Sequence, residues 1–230
     1  MKNSTIFRHL IVAAAALMAC AFADTAVARG ASMAFGMAPL GDSSKCGQRC
    51  PEVITAVGEI TDATPTDFLR FVAANINDQR LRSIVFIHSP GGSVAASMRL
   101  GQIFRGAGVA VVVGQVVPGG SNFSLLPGGI CYSACAYALM GAKKRVVPPA
   151  SLVGIHRMSF TENERDPMTH EEQARRVFAT PAYVQALAKY ASSMGVSRDA
   201  IYTAEKIDPQ KLHIVTAAEL RRWRLGSPSF

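Results

Sequence analysis

The segment from Ser83 to Gly114 constrains the fold more than any other part of the chain. It reads SIVFIHSPGGSVAASMRLGQIFRGAGVAVVVG: an apolar run ends at Ser-Pro-Gly-Gly, a helical stretch follows, and a second apolar run closes the segment. Strands that are apolar along their whole length are buried on both faces, and two of them joined by a helix pair in parallel. The segment therefore predicts an α/β fold in which helices cover a mostly parallel sheet.

Hydrophobic patterns predict the other elements of this fold. Residues 53–60 are rich in β-branched side chains and read as a strand. Residues 64–76 carry apolar residues at helical spacing, with a proline in the first turn. The remaining expectations are a helix starting near Ser133, a strand at 144–156, a polar stretch at 157–170, one or two helices at 170–194 broken at Pro181, and a final turn and strand at 211–226.

The N-terminus has the pattern of a secretory signal peptide. Lys2 and Arg8 precede the uncharged run LIVAAAALMACAFA, and small-residue cleavage sites follow it. This run is shorter than the roughly 20 residues that cross a bilayer as a helix. We therefore expect residues 1–28 to be removed, with no integral membrane span left and a periplasmic or secreted location. A lipoprotein cleavage site at Cys20 is the less favoured alternative.

The remainder of the chain is long enough for one domain with a substantial core. Residues 29–50 lack periodicity and read as an N-terminal arm, so the domain is expected at 51–230. The whole chain has a formal charge of +8, but its basic residues are scattered apart from clusters at 143–145 and 221–224. Because no stripe of interleaved basic and aromatic residues is present, we expect no nucleic-acid partner.

Three short segments could carry chemistry. Ser133 lies between two cysteines and opens a helix, as either a nucleophile or an ordinary N-cap. Gly91 and Gly92 follow a strand and precede a helix, which presents free backbone amides to an anion or simply makes a turn. His156 closes a strand, as either a general base or a structural histidine.

These segments, taken in order, resemble a known family. FIHSPGGSVAASMRLGQIF, YSACAYALMGAKKR, PPASLVGIHRM and IVTAAELRRWRLG are similar to the signature blocks of the caseinolytic protease (ClpP) proteolytic subunit and of the wider crotonase-like superfamily, over roughly residues 53–226. The chain most resembles exported, cysteine-bearing relatives of that protease. The resemblance implies a ClpP/crotonase-like spiral of ββα units with a mostly parallel sheet and a projecting helical segment at 170–194 that joins subunits of a homo-oligomer.

The resemblance also implies the roles of individual residues. Ser133 becomes the nucleophile, His156 the general base, and the amides of Gly92 and Ala134 the oxyanion donors. The position of the family's acidic residue is ambiguous, because counting forward from residues 195–197 reaches Asp208 whereas counting backward from residues 216–219 reaches Leu212. An insertion before His213 reconciles the counts and makes Asp208 the orienting acid, although Asp208-Pro209 is equally a common turn opening.

No metal or other cofactor is expected. His88, His170 and His213 have no cysteine or carboxylate at metal-ligand spacing. Lys143 and Lys144 follow Ser133 within one helix-turn unit and are expected to face solvent.

The four cysteines left after export are disulfide candidates, with zinc binding as the lesser alternative. If residues 131–135 were all helical, the Cβ atoms of Cys131 and Cys135 would stand about 5–6 Å apart, beyond the roughly 3.5–4.5 Å that a disulfide requires. We therefore favour cross-links from Cys46 and Cys50 to these two residues. Local pairing stays possible only if Cys131 precedes the helix.

Two functions follow from the sequence. The first is an exported serine peptidase-like hydrolase that acts on extended peptides. Its partner is then a peptide or protein substrate. The second is a catalytically inactive protein of the same fold that serves as a binding or assembly component of the cell envelope.

Overall fold

The computed structural model describes residues 31–229 except residues 42, 120, 121, 127, 166, 167 and 169–171. The predicted signal peptide, Cys20 and His170 lie outside the described residues. The strands are β1 (Ala34–Pro39), β2 (Glu52–Val57), β3 (Leu81–His88), β4 (Ala110–Val113), β5 (Gln115–Gly119), β6 (Asn122–Leu126), β7 (Ile130–Tyr132), β8 (Lys144–Val146), β9 (Leu152–Ile155), β10 (Ser159–Arg165), β11 (Glu172–Phe178) and β12 (His213–Ile214). The helices are α1 (Ser43–Cys46), α2 (Thr64–Asn75), α3 (Val94–Gly106), α4 (Cys135–Gly141), α5 (Pro181–Ser193), α6 (Asp199–Ala204) and α7 (Ala217–Arg222), with a 3₁₀ turn at Gly47–Arg49.

The main sheet has five strands in the order β1-β2-β3-β4-β8. β2, β3, β4 and β8 run parallel, and β1 pairs with β2 antiparallel. The predicted strand-helix-strand unit is present as β3, α3 and β4. The α/β fold with a mostly parallel sheet is thus confirmed, and the parallel strands are buried because helices cover them.

A second, three-stranded sheet in the order β12-β9-β7 carries the residues of interest. It meets the main sheet at one point, where the N–H of Ser89 donates to the carbonyl of Ile130 at 2.8 Å and the N–H of Tyr132 donates to the carbonyl of Ser89 at 3.0 Å. This junction places the glycine pair after β3 beside the chain that leaves β7 toward Ser133.

The core lies between the main sheet and the helices, with Phe68, Leu100 and Phe104 fully buried. Helices α3 and α4 approach each other closely at Gly101 and Gly141. A Cβ atom on Gly141 would collide with the backbone of Gly101. Glycine at this crossing lets α4, which follows Ser133, pack directly against α3.

The segment at 170–194 differs from the prediction. Only its second half is helical (α5), and its first half forms β11, which pairs antiparallel with β10 in the polar stretch that precedes it. Arg157 stacks over the Phe178 ring at 4.0 Å, and Phe160 packs edge-on against Tyr183. Pairing with β10 and these side-chain contacts stabilise residues 172–178 as a strand instead of a helix.

Three further boundaries also differ. Residues 34–39 of the expected irregular arm form β1 because β2 offers them a free edge, with Phe35 packing on Phe68. The apolar run 109–117 divides between β4 and β5, since the chain bends at Gly114, where Gly129 approaches so closely that a Cβ atom would not fit. The stretch at 144–156 likewise divides into β8 and β9, which lie in different sheets.

Candidate active site

Ser133 lies in the turn between β7 and α4. Its φ of +53° is in the left-handed region, which residues other than glycine rarely adopt. The N–H of Ser133 donates to the carbonyl of Gly154 in β9 at 2.8 Å, and the residue is partly exposed. Strained backbone of this kind is concentrated at functional sites, and here it directs a serine out of the sheet edge toward solvent.

The disulfides contradict the cross-links predicted between the arm and this segment. Cys131 pairs with Cys135 at a Cα–Cα distance of 5.2 Å, and Cys46 pairs with Cys50 at 5.0 Å. Cys131 belongs to β7, and α4 begins only at Cys135, so the helical spacing that would separate the two sulfurs does not apply. The first disulfide therefore closes a small loop around Ser133.

The glycine pair packs against this loop. Gly91 and Gly92 have φ values of +113° and +132°. A Cβ atom on Gly91 would stand 2.9 Å from the Ser133 Cβ, closer than side chains approach. Among the described residues, the N–H groups of Gly92 and Ala134 donate to no backbone carbonyl. The predicted oxyanion role requires two donors of this kind.

His156 directly follows β9 and is partly exposed. Its Nδ1 atom lies 2.8 Å from the carbonyl oxygen of Arg157. A carbonyl can only accept, so this contact favours the tautomer with the proton on Nδ1 and leaves the lone pair on Nε2. That lone pair is what a general base uses.

Ser133 and His156 line the same small cavity. Its volume is about 20 Å³, little more than the space that a single water occupies. Most of its lining is apolar and comes from α3, α4, α6 and the residues after β9, including Val94, Tyr137, Met140, Met158 and Ile201. The cavity thus brings the serine and the histidine to one largely apolar surface.

Neither residue reached by counting from the family pattern provides an acid for His156. Asp208 is exposed, and its carboxylate accepts a 2.8 Å hydrogen bond from the N–H of Gln210 within its own turn. The Leu212 side chain packs over Gly154. Among the described hydrogen bonds, none joins Asp208 to His156.

A carboxylate that the sequence analysis missed lies beside the residues after His156. Glu205 accepts a 3.2 Å hydrogen bond from the N–H of Met158, and its other oxygen lies 3.8 Å from Arg157 Nε. Burial raises the pKa of Glu205. The signal was present in the sequence, because Glu205 follows Ile201 by four residues and so continues the buried face of α6.

The other basic candidates lie outside this cavity. His88 accepts a hydrogen bond from the N–H of Ile130, and burial lowers the pKa of its imidazole. His213 bonds to Glu219, whereas Lys143 and Lys144 are exposed. Within the described residues, no group of three or more His, Cys, Asp or Glu side chains could hold a metal ion. No described helix is long and apolar enough to cross a membrane.

Comparison with known proteins identifies the fold. No protein-family model and no curated protein matches the chain. A solved mutant of the 1510-N membrane-bound stomatin-specific protease aligns with a TM-score of 0.50 at 18% identity, over 77% of this chain and 78% of that one. The ClpP protease catalytic domain from Plasmodium falciparum aligns with a TM-score of 0.44 at 18% identity, over 74% and 79%. The 1510-N protease from Pyrococcus horikoshii gives 0.43 at 18% identity, over 74% and 67%.

These likenesses define a class and nothing narrower. The chain is an α/β protein with a mostly parallel sheet, and it shares the fold of the solved 1510-N protease. At this level of identity the likeness concerns the fold, so the chemistry has to be argued from this chain's own residues.

Proposed function

We propose that the protein is an exported serine peptidase-like hydrolase that acts on extended peptides, with Ser133 as nucleophile and His156 as general base. One observation carries the proposal: a serine in left-handed conformation lines the same cavity as a histidine whose Nδ1 atom lies 2.8 Å from a backbone carbonyl oxygen. This contact favours the tautomer with its lone pair on Nε2. The shared fold with a solved protease supports a peptide as the substrate class.

In the proposed reaction, His156 Nε2 takes the proton of Ser133 Oγ while Oγ attacks the acyl carbon. The carbonyl oxygen becomes an oxyanion, which in this proposal accepts hydrogen bonds from the N–H groups of Gly92 and Ala134. The imidazolium then protonates the departing amine, and an acyl ester on Ser133 remains. Water, deprotonated by the same imidazole, hydrolyses the ester and restores the enzyme without any cofactor.

Export is part of the proposal. Two disulfides within 90 residues of each other fit an oxidising compartment. Together with the signal-peptide pattern at 1–28, they favour the periplasm or the exterior of the cell. Chemical labelling of free thiols in protein isolated from that compartment should find no thiol at these four cysteines.

Self-association is a further part of the proposal. Because the segment at 170–194 is not one helical arm, we place the subunit interface on the β10–β11 hairpin and α5. Leu187 of α5 is buried in the protein's own core and is not available to a partner. Phe160 and Phe178 of the hairpin are 39% and 41% exposed. Light scattering at micromolar concentration should show an oligomer that Phe160→Ser weakens, whereas Ile76→Ser, on the exposed end of α2, should not.

A fluorophosphonate probe tests the catalytic assignment on the purified mature protein. The probe should label the wild type on Ser133, and mass spectrometry of the labelled peptide locates the adduct. Ser133→Ala and His156→Ala should abolish labelling, and Ser192→Ala, an exposed serine in α5, serves as the matched control. Labelling that persists in Ser133→Ala would contradict the assignment.

The alternative is an inactive protein of the same fold that binds a partner in the cell envelope. The exposed position of Asp208 and its turn hydrogen bond favour this reading, because the family's acid is then missing from its expected place. A wild type that folds, keeps its disulfides and yet does not react with the probe would support it.

A further inference from the structure

Glu205 is a partly buried acid that has no role in the proposed reaction steps. It caps the C-terminus of α6, and its side chain is 13% exposed. Its two oxygens face the two residues that follow His156: Oε1 accepts from the N–H of Met158 at 3.2 Å, and Oε2 lies 3.8 Å from Arg157 Nε. A carboxylate is rarely withdrawn from solvent unless it is paired, and Glu205 makes a hydrogen bond and an ion pair with this segment.

The same segment orients the imidazole. The carbonyl of Arg157 lies 2.8 Å from His156 Nδ1, and the N–H of Arg157 donates to the carbonyl of Ile207 at 3.0 Å. Residues 205–207 therefore hold the peptide unit on both sides of the carbonyl that fixes the tautomer. A movement of Glu205 would therefore displace the Arg157 carbonyl, which contacts His156 Nδ1.

Charge connects the two residues as well. The groups that face Glu205 are His156 and Arg157 from the segment after β9 and Tyr137 from α4. The imidazolium that forms when Ser133 loses its proton is a second positive charge beside Arg157. A carboxylate at this place offsets both charges, which is the electrostatic work of the acid in a serine-histidine-acid triad.

We propose that Glu205 is the positioning residue of this site: through the Arg157–Met158 backbone and by its charge, it orients His156 and stabilises its imidazolium in place of Asp208. This inference rests on the proposed function. It differs from a conventional triad because the carboxylate bonds the backbone after the histidine, whereas the imidazole itself bonds a main-chain carbonyl.

Removal of the charge alone tests the proposal. Glu205→Gln keeps an oxygen that can accept from Met158, so the fold should persist, but the imidazolium loses its counter-charge. The pKa of His156, followed by NMR of histidine-labelled mature protein and assigned with His156→Gln, should fall by about 0.5 or more. Asp199→Asn removes an exposed carboxylate from the same helix and should leave this pKa in place.

Asp208→Asn tests the competing assignment. If this variant lowers the pKa of His156 and Glu205→Gln does not, the proposal is overturned. In the wild type, the His156 resonance should also show a second, smaller inflection as Glu205 titrates. That measurement needs no variant, and its absence would count against Glu205 even if Glu205→Gln failed to fold.

The rate of fluorophosphonate labelling separates this inference from the function on which it rests. Labelling requires neutral His156, so its midpoint on the pH axis should move down in Glu205→Gln together with the NMR pKa, and Glu205→Asp should restore most of it. A wild type without labelling refutes the hydrolase but leaves the NMR test intact. Labelling with an unmoved midpoint in Glu205→Gln refutes the role of Glu205 alone.

Discussion

The N–H of Ser133 donates a 2.8 Å hydrogen bond to the carbonyl of Gly154, two residues before His156. The proposed nucleophile and base are thus held together by the backbone of two strands in one sheet, independently of any bond between their side chains. Three other constraints converge on the same serine: the Cys131–Cys135 disulfide, the glycine pair and the left-handed φ. Each can be removed separately, which makes the arrangement testable.

Replacement of Ser133 should separate stability from reactivity. Ser133→Ala removes the hydroxyl at unchanged strain, so we expect loss of probe labelling with a nearly unchanged melting temperature. Ser133→Gly removes both the hydroxyl and the left-handed strain and should be more stable than Ser133→Ala by about 1 kcal/mol. Thermal or urea unfolding measures the difference. Equal stability of the two variants would mean that the φ of +53° is not strained in this protein.

The two disulfides offer a matched pair of variants, because each closes a loop with the same four-residue separation. Replacement of both cysteines of either pair by alanine should cost about 2 kcal/mol of unfolding free energy, since short loops lose little entropy when cross-linked. Only the Cys131→Ala/Cys135→Ala variant should also slow probe labelling of Ser133. If the Cys46→Ala/Cys50→Ala variant slows labelling equally, the disulfide around Ser133 has no specific role there.

A methyl group at Gly91 should damage the site. Gly91→Ala would bring a Cβ atom within 2.9 Å of Ser133 and force an alanine to adopt a φ of +113°. We expect destabilisation of more than 1 kcal/mol and loss of labelling. Gly106→Ala is the control, because a Cβ atom there meets open space at the end of α3 and should be neutral or slightly stabilising. Full labelling in Gly91→Ala would show that the glycine turn is unrelated to reactivity.

The ionised form of Glu219 should stabilise the folded protein, so the free energy of unfolding should decrease in acid. Burial acts to raise its pKa, but hydrogen bonds from Thr216 and His213 outweigh burial and hold the pKa below its ordinary value of 4.5. A carboxyl whose pKa is lowered by folding stabilises the protein above the unfolded-state pKa, and this contribution is lost as the pH falls through the folded-state pKa. Urea unfolding from pH 7 to pH 3 should therefore show a steeper loss in the wild type than in Glu219→Gln. Parallel curves would contradict the assignment.

Local patterns were sufficient for the elements with strong periodicity. The helix at 64–76 and the βαβ unit around Gly91 were predicted correctly because their apolar spacing repeats within a few residues and their ends carry proline or glycine. The order of Ser133 and His156 along the chain, together with the resemblance, also selected two residues that line one cavity. Their chemical roles stay predictions.

The predictions that were wrong concern the N-terminal arm, the first half of the segment at 170–194 and the disulfides. β1 and β11 form because strands far along the chain or across a turn offer them hydrogen bonds, and neither segment carries a strong pattern of its own. The pairing of Cys131 with Cys135 depended on the residue at which α4 begins, and helix boundaries are the least certain feature of any sequence pattern. For β1 and β11 the deciding partner lay outside the segment from which the expectation was drawn, whereas for the disulfide the deciding feature was the first residue of α4.

The carboxylate near His156 shows most clearly what the sequence determined and what the tertiary structure decided. The sequence by itself determined an α/β protein with a parallel sheet, a serine and a histidine in a recognisable order, and an export signal pattern. Which carboxylate lies beside the residues that follow His156 was decided only by the tertiary structure, because Asp208 accepts a hydrogen bond within its own turn whereas Glu205 accepts one from the N–H of Met158. Spacing along the chain cannot distinguish them, since burial and charge pairing are properties of the packed protein.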